Sequence, residues 1–306
     1  MKVKNSFWIV VISLFALTAC DQLSKLINNE AEELVKSRDS ALNASDDLEE
    51  IVQSFNKIIR TYRNTKDKEV LALTFETMVG KAGLLSVLAE QKAATASMQV
   101  SAIRQRVITA NTDAIAFHDQ FLKTLEGIKP QLVEENLALA YYTNALQYAA
   151  LDNKKKSITT YQLIIEKFAD SSNESVLDTL ARSLNNNGVM FNDLARHQEA
   201  IDLYSELLKR FKDTENEELK TIVTTAIYNK GLSLQNLNKY EEAILFYNQV
   251  IERTQGVENN EAQESLMQAL YRKSVILKKQ GNEAEAEKLM KEGEKIYNNL
   301  LNKNYI

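Results

Sequence analysis

Three tyrosines, Tyr161, Tyr204 and Tyr247, stand 43 residues apart, and the residues around them recur at the same spacing. Four positions before each lies a small residue, Ser157, Ala200 and Ala243, and twelve before that another, Ala145, Gly188 and Gly231. A period of this size marks a unit of helix, turn and helix that cannot bury its apolar face alone and therefore stacks on its neighbours. Such arrays make extended binding surfaces rather than catalytic pockets.

One Pro and eight Gly in 306 residues leave little to interrupt a helix, so the chain is expected to be all-α. The formal charge of −5 becomes more negative without Lys2 and Lys4. That disfavours a nucleic-acid surface and points to protein partners.

Residues 1–19 read as a secretion signal: a basic start at Lys2 and Lys4, then an apolar run from Phe7 to Leu17 broken only by Ser13. The run is shorter than the roughly 20 residues of a membrane span. It ends in Leu17-Thr18-Ala19-Cys20, which resembles the lipobox of bacterial lipoproteins. The resemblance implies acylation of Cys20, removal of the leader just before it, and attachment to the membrane through this covalent lipid. Cys20 is the only cysteine, so its acylation would exclude thiol catalysis, disulfides and cysteine zinc sites. Asp21 and Gln22 resemble the signal that retains enterobacterial lipoproteins in the inner membrane, facing the periplasm; the outer membrane is the alternative.

Residues 20–44, polar with scattered apolar positions, read as the lipidated cysteine and a tether or loosely packed helix leading away from the membrane, and 45–127 as a helical N-terminal region. Leu48, Ile51, Val52, Phe55, Ile58, Ile59 and Tyr62 form an apolar stripe at helical spacing, with Ser45 and Asp46 as candidate N-caps. Further helices are expected over 68–127, with Gly127 and Pro130 marking a stop and a restart. Ala102 and Ala114 keep the repeat phase and His118 takes the tyrosine slot, which suggests a worn repeat reaching backwards.

Four units fit residues 131–302. In each, the first helix carries Tyr141, Leu184, Ile227 or Leu270 and then Tyr148, Phe191, Leu234 or Leu277; the second carries Ser157, Ala200, Ala243 or Ala286 and then Tyr161, Tyr204, Tyr247 or Met290. This pattern resembles the tetratricopeptide repeat, which implies a right-handed solenoid of helical hairpins. The usual unit has about 34 residues, and the extra length is expected in the first helices, where Leu219, Ile222, Val223, Ala226 and Ile227 keep helical spacing before Gly231. Ile296, Tyr297, Leu300 and Leu301 suit a terminal cap.

No catalytic, metal or cofactor site is expected. His197 aligns with Tyr240 in a turn, and pairs such as Asp46-Asp47, Glu49-Glu50 and Glu241-Glu242 suit helix N-termini. No phosphate loop, nucleophile elbow or HExxH helix occurs. The resemblance implies that exposed positions of the first helices line a concave binding face: Asn185, Asn186, Asn192, Tyr228, Asn229, Gln235, Tyr271, Arg272, Lys278 and Lys279. Some members of the family hold C-terminal carboxylates in a clamp, of which Asn229 and Arg272 match, while Asn185, Val189 and Gln268 replace its Lys, Asn and Lys. The expected function is that of an envelope adaptor; the alternative is a self-associating spacer, hence a homo-oligomer, assembled through residues 21–127.

Overall fold

In the computed structural model, residues 29–45, 47–93, 97–121 and 130–303 are described. The leader, Cys20, Asp21, Gln22, Asp46 and Gly127 lie outside them, as does the His118 side chain. The chain forms two compact units, one ending at Thr179 and one beginning at Leu180.

The first unit opens with α1 (Asn29–Asn43), α2 (Leu48–Tyr62), α3 (Lys68–Ala93) and α4 (Ser97–Phe121). Of the two readings of this segment, Asn29–Asn43 takes the helical one, and Ala31, Leu34 and Ala41 pack into one apolar core with Phe55, Leu85 and Val107. Arg38 enters the same bundle, its guanidinium 3.5 Å from the Glu76 carboxylate of α3, with both side chains buried. The N-cap of α2 is Asp47, whose carboxylate accepts from the Glu49 N–H at 2.8 Å, whereas Ser45 Oγ accepts from the Asp47 N–H. Val70–Ala89 is long and apolar enough to cross a membrane, but 83% of that stretch is buried among the other helices. It is the core helix of this unit.

Pro130 begins α5 (Pro130–Ala150), where its missing N–H leaves no helical bond unmade, and α6 (Lys154–Lys167) completes the first hairpin. The sequence suggests a break near 127–131, yet α5 packs on α3 and α4, with Arg104 Nη1 donating to Gln147 Oε1 at 3.3 Å. Compactness therefore places this hairpin with the N-terminal helices. The second unit holds most of α7 (Glu174–Asp193), then α8 (His197–Phe211), α9 (Glu217–Asn236), α10 (Tyr240–Thr254), α11 (Asn260–Lys279) and α12 (Glu283–Asn302). First helices have 20 or 21 residues, against 14 or 15 for α6, α8 and α10.

Each hairpin turn has the same backbone. Asp152, Ala195, Asn238 and Gly281 all adopt positive φ, between 56° and 84°. The following N–H, of Asn153, Arg196, Lys239 or Asn282, donates five residues back to the carbonyl of Tyr148, Phe191, Leu234 or Leu277. This is the Schellman closure, which satisfies carbonyls left over at a helix end. The first helices also start alike: the side chains of Asn173, Asn216 and Asn259 accept from N–H groups of the first turn.

The same turn explains why the repeat does not reach backwards. Ala102 and Ala114 lie on one uninterrupted helix, α4, with Thr109 in the turn phase. A β-branched residue resists the left-handed conformation, so the helix runs on.

Within the hairpins, the paired small residues mark close approach. Ser157 Oγ donates to the Ala145 carbonyl at 2.9 Å, and Ala200, Ala243 and Ala286 are buried. A Cβ on Gly188 would lie 2.5 Å from Tyr204 Cε1, and one on Gly231 would lie 2.9 Å from Tyr247 Cε1. Tyr161, Tyr204 and Tyr247 are among the largest fully buried side chains, whereas Met290, in the corresponding place, is exposed on the last hairpin.

Two substitutions should therefore act against ordinary expectation. Gly188→Ala gains about 1 kcal/mol of helix propensity but forces a methyl into a packed ring, a strain of about 1–3 kcal/mol, and should lower the urea midpoint. Ala195→Gly relieves a left-handed residue that costs about 1–2 kcal/mol, less the entropy penalty of glycine, and should raise it. Equal midpoints for both variants would contradict this packing.

Candidate functional site

The proposed binding residues lie on α7, α9 and α11, and most are engaged between neighbouring helices. Asn229 Nδ2 donates to Asn185 Oδ1 at 3.1 Å, and Arg272 Nε donates to the Tyr228 hydroxyl at 3.2 Å. These are the same rung one unit apart, since each member of the second pair lies 43 residues after its counterpart in the first. Asn185 Nδ2 also donates to Asn186 Oδ1. Tyr271 follows Asn185 and Tyr228 in phase, and at 54% exposure it is a rung with its outer half open.

Asn192 and Gln235 are each engaged with a tyrosine hydroxyl of the core. Asn192 Nδ2 donates to the Tyr204 hydroxyl at 3.4 Å, and the Tyr247 hydroxyl donates to Gln235 Oε1 at 2.7 Å. Asn192 Oδ1 further accepts from Ser233 Oγ of α9 at 2.9 Å and stands 3.0 Å from His197 Nδ1, so His197 ties the turn to the core. In the last hairpin, Lys278 stands in the amide position and Met290 in that of the tyrosine.

Tyr228 is likewise structural in part, because its ring lies 5.9 Å from that of Tyr247. The freely exposed members of the predicted set are Tyr271, Lys278 and Lys279. Lys279 Nζ sits 4.7 Å above the Tyr240 ring and bonds its hydroxyl. Beside them, a shallow hollow of about 290 Å³ is lined by Gln235, Asn236, Asn238, Tyr240, Val275, Ile276 and Lys279. Sequence reasoning missed Tyr240, Asn238 and Val275, although Asn238 carried a signal as the residue in the turn phase.

Arg272 is half-buried, its hydrogen-bond partner is a neutral phenol, and Tyr247 and Tyr271 are its other electrostatic neighbours. Among the described residues no carboxylate ion-pairs with it, and no group of His, Cys, Asp and Glu could hold a metal ion. Glu241 and Glu242 fall in the first turn of α10, where the helix dipole favours them.

Burial holds the Tyr204 and Tyr247 hydroxyls well above the usual phenol range. The unfolded chain releases these protons near pH 10 while the folded chain keeps them. Their stabilisation is complete below that pH and should fall as pH rises through and beyond it, with the corresponding phenolate absorbance appearing only on unfolding. Gln235→Leu should lose about 1–3 kcal/mol by leaving the Tyr247 hydroxyl unmet. Adding Tyr247→Phe should recover part of that loss, as chemical denaturation would show; a purely additive pair of losses would count against the bond.

The sequence profile of the tetratricopeptide repeat matches residues 224–256, the second part of α9 through α10. A search of curated proteins finds no significant sequence match. The crystal structure of BtubC (BKLC) from P. vanneervenii is similar over 84% of this chain and 93% of its own, at 16% identity and a TM-score of 0.60. NprR in complex with its cognate peptide NprX aligns with 95% of this chain and 77% of its own, at 14% identity and a TM-score of 0.44. The chain is an all-helical protein with tetratricopeptide-like repeats.

Proposed function

We propose that this chain is a lipid-anchored adaptor of the bacterial envelope, which captures a protein partner on the first helices of a 43-residue tetratricopeptide-like unit. The observation that carries the reading is Arg272: a half-buried cation bonded to a neutral phenol, next to the exposed Tyr271, Lys278 and Lys279. A guanidinium partly withdrawn from water and lacking a carboxylate has donors to offer. An extended peptide segment presenting an acceptor oxygen to Arg272 and an apolar side chain to Tyr271 or Val275 suits this surface. Anchoring rests on Leu17-Thr18-Ala19-Cys20, and placement in the inner membrane facing the periplasm on Asp21-Gln22. The lipid on Cys20 is the one non-protein group in this reading, and catalysis has no part in it.

A photo-crosslinking residue at Tyr271 in intact cells should join the chain to one defined envelope protein. Combined Arg272→Ala and Lys279→Ala should abolish that product, because binding energy concentrates in a few such anchors; the exposed Lys279 should cost about 0.5 kcal/mol of stability and the lost Arg272–Tyr228 hydrogen bond about 0.5–1.5 kcal/mol more. A crosslink that survives both substitutions would refute this surface. Intact-mass measurement tests the anchor: the mature chain should begin at an acylated Cys20 and lack tryptophan, since Trp8 is the only one. A retained Met1 with an unmodified cysteine would refute it.

A further inference from the structure

Helix α12 exposes apolar residues at positions whose counterparts on α10 are buried. Helix α10 packs against both α9 and α11, and its Tyr247 and Thr254 are 0% and 3% exposed. In the same places on α12 stand Met290 and Tyr297, which are 36% and 46% exposed. The inner face of α12, with Ala286, Leu289, Ile296 and Leu300, is already occupied in the core it shares with α11. Met290, Tyr297 and Leu301, the last also 46% exposed, therefore form a second apolar stripe, in which Glu294 stands one turn beyond Met290.

We propose that this stripe pairs with the same stripe of a second copy of the chain, antiparallel and about a twofold axis. The pattern is self-complementary in that sense. Met290 and Leu301 share a midpoint with Glu294 and Tyr297, so a single register sets the apolar ends upon each other and brings each phenol opposite a carboxylate that can accept its proton in a hydrogen bond. A parallel pairing would set Glu294 against Glu294, which is repulsive. Head-to-tail stacking would repeat without closing, whereas the twofold arrangement closes after two copies.

Sedimentation of the full chain across a wide concentration range should show a monomer–dimer equilibrium. Met290→Asp with Tyr297→Asp, both at exposed positions, should weaken dimerisation by about 100-fold while leaving unchanged the melting curve measured in dilute solution, where the parent is monomeric. A parent that stays monomeric throughout, or a dimer that survives the double substitution, would overturn the proposal. The register has its own test, with Cys20→Ser in every chain. A mixture of Met290→Cys chains and Leu301→Cys chains should form the mixed disulfide; exclusive formation of Met290→Cys homodimers would overturn the antiparallel arrangement. Neither result depends on the Arg272 surface, whose crosslink is read separately.

Discussion

The contact between a glycine on one helix and a tyrosine on the next governs the second unit. Gly188 and Gly231 have no side chain because the rings of Tyr204 and Tyr247 lie where a Cβ would be. A fully buried aromatic side chain contributes on the order of 3–5 kcal/mol against its deletion, so each ring does much to hold its hairpin shut. Burial also withdraws a hydroxyl from water, and an unmet hydroxyl would offset much of that gain. Asn192 and Gln235 exist to prevent this. The polar character of this part of the first helices is thus a consequence of the ring packing beneath it.

Close approach also requires the chain to reverse within very few residues, and the left-handed turn meets that need. Asp152, Ala195, Asn238 and Gly281 span residue types with quite different tolerance for positive φ. Asn and Gly adopt it readily, Asp less so, and Ala only against resistance. The turn is therefore imposed at Ala195 by the packing on either side, with Arg196 placed 4.5 Å over the Phe191 ring. Where the phase meets Thr109, with neither glycine nor tyrosine to force a reversal, α4 continues instead.

The repeat was legible in the sequence because small and aromatic residues recur in fixed phase, and phase survives without any knowledge of contacts. What was not legible is direction. Asn185 and Asn192 look equivalent as polar residues of a first helix, yet one bridges to the next first helix and the other turns down to a buried hydroxyl. The clue lay in the twelve-residue step from Asn192 to Tyr204 and from Gln235 to Tyr247, which parallels the step between the small residues. Arg38 and Glu76 carried no comparable signal: a charged residue in a polar stretch and another in an apolar helix become partners only when α1 packs on α3. Composition alone therefore leaves α1 open between a tether and a loosely packed helix.

The fourth hairpin departs from the two before it. Met290 replaces the tyrosine, and Lys278 stands where Asn192 and Gln235 stood. The rung that Asn185 and Tyr228 complete with the following helix is left half-made at Tyr271. Groups that serve internal cohesion in α7 and α9 are thus released in α11 and α12, and the released groups are aromatic, apolar and cationic. Those residue types supply most of the energy at protein interfaces. The positions at which the repeat relaxes its own packing rules are accordingly those on which the proposed binding rests.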